Sequence, residues 1–353
     1  MTINKLMSKA AIVIVLLFLA ACGTGYEPYT DYQYPEPMIE EDTDADYVLA
    51  YEYEREYESE YEYELEYESQ YKLPAYDCPL KLALINHEAI IEAEEVPINL
   101  PEFGQFVSYR IRYQVDEYEV IGYVVAPADF ADANYSIVIF NRGGNQEFGI
   151  ISSPSMLIHF TVGGSIVLAS QLRGVAGGTS REQFGGDDIN DVLKLIDISE
   201  TFDFAQQGGV YMFGASRGGM MTYIATRLDD RIVAAAVWAA VSDVFSWYQQ
   251  RGDMRPILSE LIGGSPNDEE WIEEYEKRSA VFWADEIQAP ILIMHGGTAD
   301  WRVRTSHSVY MAEALERYGR PHRLVLFPDA DHSMPSEAAP YLLEWFMQHP
   351  VSP

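Results

Sequence analysis

Ser216 lies in the run Gly214-Ala215-Ser216-Arg217-Gly218-Gly219, directly after the β-branched and aromatic residues 210–213 and directly before the helix-forming segment 218–228. That spacing has a chemical use. A serine on a sharp strand-to-helix turn, flanked by glycines that let the backbone pass closely, presents its hydroxyl as a nucleophile. A hydroxyl is weakly nucleophilic at neutral pH, so it needs a base, and the base needs an acid to orient it. After such a turn the acid precedes the base in the chain.

Five histidines follow Ser216: His295, His307, His322, His332 and His349. His332 is the base. It sits in Phe327-Pro328-Asp329-Ala330-Asp331-His332, a loop between the last predicted strand and the final helix, from which its ring can swing over the sheet edge. His307 lies within a predicted helix, His322 at a strand entrance and His349 in the tail, and all three read as ordinary surface residues. His295 ends a predicted strand and reads as a loop-shaping neighbour. The acid is Asp300, in His295-Gly296-Gly297-Thr298-Ala299-Asp300 at the carboxyl end of the penultimate strand. Asp329 and Asp331 are nearer in sequence, but side chains of one tight loop seldom aim each other's ring at a third residue, so they read as loop-shaping. Asp300 would accept the Nδ1 hydrogen of His332 and favour the imidazolium formed as Ser216 loses its proton.

Acyl transfer also needs two donors for the developing oxyanion. The backbone N–H of Arg217 is one. The second is expected from Asn141-Arg142-Gly143-Gly144-Asn145, after the run 136–140. Backbone N–H of Gly143 or Gly144 is the first choice, the side chain of Asn141 or Arg142 the alternative, and a plain glycine turn remains open.

These residues need a scaffold that gathers them. Residues 106–114 and 118–126 alternate as two antiparallel strands, with Pro127 closing the region. Short apolar runs follow at 136–140, 166–169, 210–213, 232–238, 291–294 and 323–327. Helix-length segments separate them at 154–162, 187–204, 218–228, 268–278, 305–318 and 336–348. Buried runs alternating with crossover helices predict a doubly wound, mostly parallel α/β sheet. Such sheets bind ligands beyond the carboxyl ends of their strands, where Ser216 and Asp300 fall. The stretch 242–264, with Phe245, Trp247, Tyr248 and Met254, interrupts the alternation. It is expected to roof the pocket, and its aromatics read equally as pocket wall or as core.

From about 107 to 348 the chain resembles the catalytic domain of the prolyl oligopeptidase (S9) family of serine peptidases, which has the α/β-hydrolase fold. The resemblance rests on Tyr113, Gly122, Tyr123 and Pro127, on the loop 141–145, and on Gln171-Leu172-Arg173-Gly174 with Gly177-Gly178. It continues through Phe184-Gly185-Gly186-Asp187-Asp188 with Asp191-Val192, then 214–219, 295–300 and 329–332. It implies a triad of Ser216, Asp300 and His332, and structural support from the Arg173 segment. Two departures stand out. Family members usually carry a β-propeller that filters substrates by size, and here too few folded residues precede the matching region, so none is expected. Many also offer a tyrosine hydroxyl to the oxyanion from the loop matching 141–145, which here holds no tyrosine.

The resemblance implies cleavage of short peptides through an acyl-enzyme on Ser216, with no cofactor or metal. The alternative is a carboxylesterase acting on small or carbohydrate-linked esters. A different class, a catalytically inactive lipid-tethered binding protein, is opposed by the complete set of Ser216, Asp300 and His332.

The rest of the chain bears on location. Lys5 and Lys9 precede an apolar run, Ala10 to Ala21, which is shorter than the ~20 residues that span a bilayer as a helix, and is read as an export signal. Leu19-Ala20-Ala21-Cys22 resembles the lipobox of bacterial lipoproteins, which makes 1–21 a cleaved signal and Cys22 a lipidated membrane anchor outside the cytoplasm. Residues 22–75 form an acidic linker in which a ten-residue Tyr–Glu unit repeats at 51–59 and 61–69. Between 27 and 71 stand 17 acidic residues against Arg55 alone, so this tract carries much of the net charge of -33. A strand with Glu along one face would repel itself, so disorder is expected; a wall- or cation-binding tract is the alternative. The catalytic domain is expected over 76–353. With 23 basic against 56 acidic residues and no basic patch, nucleic acid is not an expected partner. The remaining cysteine, Cys78, reads as a small, partly buried residue.

Overall fold

A computed structural model of the chain describes residues 78–98, 105–131, 133–161 and 164–351. The expected signal, Cys22 and the Tyr–Glu repeat lie outside the described residues.

The strands are β1 (Ile90–Glu95), β2 (Phe106–Val115), β3 (Tyr118–Pro127), β4 (Ser136–Asn141), β5 (Ser165–Ser170), β6 (Val210–Ala215), β7 (Ile232–Trp238), β8 (Ile291–Gly296) and β9 (His322–Phe327). They form one sheet in the order β1-β2-β3-β5-β4-β6-β7-β8-β9. The first three pair antiparallel, β3 pairs antiparallel with β5, and every pairing from β5 through β9 is parallel. Each residue of β5 and β8 is buried, as expected for parallel strands covered on both faces. The two apolar cores divide accordingly. Ile137 and Ile139 of β4 point into one and Val138 into the other, which is the period-2 alternation of a strand between two helical layers.

The helices are α1 (Pro79–Asn86), α2 (Ile189–Ser199), α3 (Arg217–Leu228), α4 (Val244–Gln250), α5 (Arg255–Ile262), α6 (Ile272–Lys277), α7 (Ser306–Arg317) and α8 (Ala339–Gln348). Several differ from the expected segments. Residues 187–204 supply only the shorter α2, because the Asp188 carboxylate turns back to accept from the amides of Gln183 and Gly185 instead of entering the helix. Past α2, Phe202 and Phe204 are buried as loop residues. Residues 154–162 wind as a 3₁₀ segment, Pro154–Phe160, opened by Ser153 accepting from the Ser155 amide. β1 was not expected. Its Ile-Ile-Glu-Ala-Glu-Glu sequence half-buries only Ile90 and Ala93, the weak pattern of an edge strand.

Asn141, Ser170, Ala215, Trp238, Gly296 and Phe327 end their strands along one edge of the sheet. The chemistry-bearing loops leave from that edge. A cavity of about 410 Å³ opens at the opposite edge, between the starts of β7 and β8, and is lined in part by Ile232, Val233, Ala289 and Pro290. It holds none of the candidate residues.

Candidate active site

Ser216 stands between β6 and α3 with φ 55° and ψ -122°, a region that side-chain-bearing residues rarely occupy and that costs energy to hold. The turn is fixed at both ends. The Ser216 amide donates to the Trp238 carbonyl at 2.8 Å, and the Ser216 carbonyl accepts from the Gly219 amide at 3.0 Å. The motif's glycines are required by close approach: a Cβ on Gly214 would fall on the Gly218 carbonyl, and one on Gly218 on the Asn141 carbonyl.

Asp300 and His332 meet, although 32 positions separate them. His332 Nδ1 lies 2.9 Å from Asp300 Oδ2 and 3.1 Å from Oδ1. Asp300 Oδ1 also accepts from the amides of Arg302 and Val303, both at 3.0 Å. Asp300 has a further neighbour in His295, whose Nε2 lies 3.2 Å from its Oδ2. Burial pushes the Asp300 carboxyl upward, but hydrogen bonds from His295, His332 and the Val303 amide, with the attraction of His332, hold it well below the usual carboxylate range. Trp238, at the end of β7, ties the His332 loop to the Ser216 turn, for its carbonyl receives the Ser216 amide and its indole Nε1 donates to the His332 carbonyl at 2.7 Å. Asp331 accepts instead from the Ser333 amide, a local loop bond.

The loop 141–149 passes beside Ser216. A Cβ on Gly143 would stand 3.4 Å from Ser216 Cβ, and Gly144 has φ +71°, where a Cβ would strike the Phe148 carbonyl. The neighbouring side chains turn elsewhere: Asn141 Nδ2 donates to Thr222 at 2.9 Å, and Arg142 donates to the carbonyls of Gln171, Gly143, Gln146 and Phe148.

Beneath this loop runs a buried ionic chain. Glu182 Oε2 is 3.4 Å from Arg142 and 2.7 Å from Arg217, whose other terminal nitrogen is 2.8 Å from Asp188. Glu182 Oε1 also accepts from the Gln146 amide. Desolvation, helped by repulsion from Arg217, brings the Arg142 guanidinium down to about 10. Sequence reasoning missed Glu182 as a site element; its one signal was an acidic residue beside the Phe184-Gly185-Gly186 run. Arg173 has a separate partner. It meets Asp191 through Nη2 at 2.7 Å and Nε at 3.0 Å, joining the end of β5 to α2.

Ser216 and His332 line a common cavity of about 240 Å³ together with Gly143, Gly144 and Arg217. Its roof comes from 242–264 as expected, and the aromatics there divide. Trp247 and Met254 line the cavity, whereas Phe245 packs against Tyr275 at 5.5 Å. The Trp247 ring stacks on Phe184 at 5.8 Å, and Phe184 in turn covers the Arg217 guanidinium at 4.7 Å. At the mouth, Arg302 and Arg251 alternate with the rings of Phe148, Trp301 and Trp247.

Two histidines depart from expectation. His307 is not a surface residue but is 2% exposed on α7, and burial depresses it to about 3. His295 is fully buried and, besides bonding the loop at the Val303 carbonyl, touches Asp300. Among the described residues no group of three or more His, Cys, Asp or Glu side chains is arranged to hold a metal ion.

A model of the prolyl oligopeptidase family matches residues 160–348. An uncharacterized peptidase of Bacillus subtilis, YtmA, is 29% identical over 228 residues, which are 64% of this chain and 86% of that protein. Among solved structures, the acylaminoacyl peptidase of Pyrococcus horikoshii superposes with a TM-score of 0.59 at 19% identity, over 77% of this chain and 44% of that one. An acetyl xylan esterase from Paenibacillus sp. R4 superposes with a TM-score of 0.60 at 15% identity, over 82% of this chain and 98% of that one. The chain thus spans most of the Bacillus protein and under half of the Pyrococcus one. At these identities the two structures speak to fold, and both share the α/β-hydrolase architecture described above.

Proposed function

The chain belongs to the prolyl oligopeptidase family, and from that premise we propose that it is a serine hydrolase that cleaves the amide bonds of short peptides outside the cytoplasm. The observation that carries this reading is the Asp300–His332 hydrogen bond beside a cavity that Ser216 also lines.

In the proposed reaction Ser216 Oγ attacks the substrate carbonyl carbon as its proton passes to His332 Nε2. Asp300 holds the Nδ1 hydrogen of His332 and stabilises the imidazolium. The oxyanion is received by backbone N–H groups, that of Arg217 and one from Gly143 or Gly144, since the Asn141 and Arg142 side chains are engaged elsewhere. His332 then protonates the leaving group, and water releases the acyl group by the reverse path. The buried partners of Arg217 and the packed loop supply the rigidity that such donors need.

An ester would react by the same steps, and the fold does not choose between the two. The small cavity, walled by Trp247 and Met254, suits a compact acyl group in either case. Sequence alone supports the placement: the lipobox-like run ending in Cys22 is the basis for proposing a lipid anchor. A fluorophosphonate probe tests the chemistry. It should label the wild type and not Ser216→Ala; absence of labelling in the wild type would return the chain to the inactive binding class. Turnover of a proline-containing peptide amide against a short acyl ester then decides the bond, and a clear preference for the ester would replace peptidase with esterase.

A further inference from the structure

The reaction scheme leaves one buried contact of the acid without a task. His295 Nε2 lies 2.9 Å from the Val303 carbonyl oxygen and 3.2 Å from Asp300 Oδ2. Both are acceptors, so Nε2 carries hydrogen and is shared between them. On the other side of the ring, Nδ1 is 2.6 Å from Ser308 Oγ, and in a neutral imidazole it accepts from that hydroxyl. One carboxylate therefore faces two imidazoles, His332 and His295, as well as the amides of Arg302 and Val303. The other charged or titratable groups acting here are His307 on α7, Arg304 just ahead of it, and Asp331 acting on Arg302.

We propose that His295 is a positioning residue that acts on the reaction through Asp300, taking up part of the negative charge of a carboxylate that the Arg302 and Val303 amides already hold toward His332. The proposal rests on the hydrolase reading above. Each N–H donated to a carboxylate spreads its charge and leaves less to stabilise a neighbouring imidazolium. Two consequences of removing His295 differ in sign. If Asp300 stays in place on its amide donors, it favours the His332 imidazolium more strongly, and activity is lost at a higher pH. If Asp300 merely swings away, the imidazolium loses its partner, and activity is lost at a lower pH.

The full-length protein would be labelled with a fluorophosphonate between pH 5 and 9 as wild type, His295→Leu and His295→Gln. The expected result is an acid limb of the labelling rate shifted upward by roughly half a pH unit or more in His295→Leu. His295→Gln, which can still offer an N–H to Asp300, should recover part of that shift. A limb that stays in place or moves down in His295→Leu overturns the proposal. Should that variant not fold, nitrogen NMR of the wild type decides, with hydrogen expected on Nε2 of His295 and a bare Nδ1; hydrogen on Nδ1 with a bare Nε2 overturns it. A wild type that folds but never labels overturns the hydrolase reading itself, a result that the variants cannot mimic.

Discussion

Single residues carry both the chemistry and one of its pH liabilities. His307 is neutral in the fold because burial depresses it from 6.5 to about 3, while an unfolded chain would protonate it near the ordinary value. Between those values the unfolded state binds the proton that the folded state refuses. Stability contributed above 6.5 is therefore lost progressively as the pH falls through that window toward about 3. His307→Leu should flatten the dependence of the urea midpoint on pH between 6.5 and 4; an unchanged slope would assign the acid sensitivity to other groups. The meeting of Asp300 with His332 beside Ser216 was legible in sequence because Ser216 and Asp300 follow strands and His332 stands in the loop before the final helix. His307 was misjudged as a surface residue, and the contact of His295 with Asp300 was not foreseen, because both depend on packing between β8 and α7, which no spacing in either segment reveals.

At the scale of elements, buried charge ties the sheet edge to the helices. Burial raises the Asp191 carboxyl to about 6, and the fork of Arg173 keeps it from rising further, so the pair is ionised at neutral pH. Asp191→Asn strands the fully buried Arg173 and should cost about 3–5 kcal/mol, read as a lower denaturant midpoint with little change in slope. A loss under 1 kcal/mol would mean that Asp116, 3.4 Å from Arg173, takes over as its partner. The central strands were readable since continuous apolar runs have no other use in a domain of this kind: β7 matches 232–238 throughout. Their spatial order was not, because β5 inserts between β3 and β4 through a pairing that sequence proximity does not suggest. Nor were α4 and α5, whose short segments read only as an interruption.

For the whole molecule, the groups proposed to react share the carboxyl edge of the sheet, and the larger cavity at the other edge holds none of them. The proposed anchor lies far along the chain from this edge, so anchoring and chemistry should separate experimentally. Cys22→Ala should abolish incorporation of labelled palmitate while fluorophosphonate labelling per mole of protein is unchanged; a variant that still takes up palmitate, or a wild type that never does, would sink the lipid assignment. Trp238 has a consequence of another kind. Its carbonyl receives the Ser216 amide and its indole holds the His332 carbonyl, so one chromophore bridges the two partners of the proposed proton transfer. Six tryptophans emit from this chain, so the component of the emission that Trp238→Phe removes is an optical gauge of the loop that carries His332, readable in real time without any attached dye.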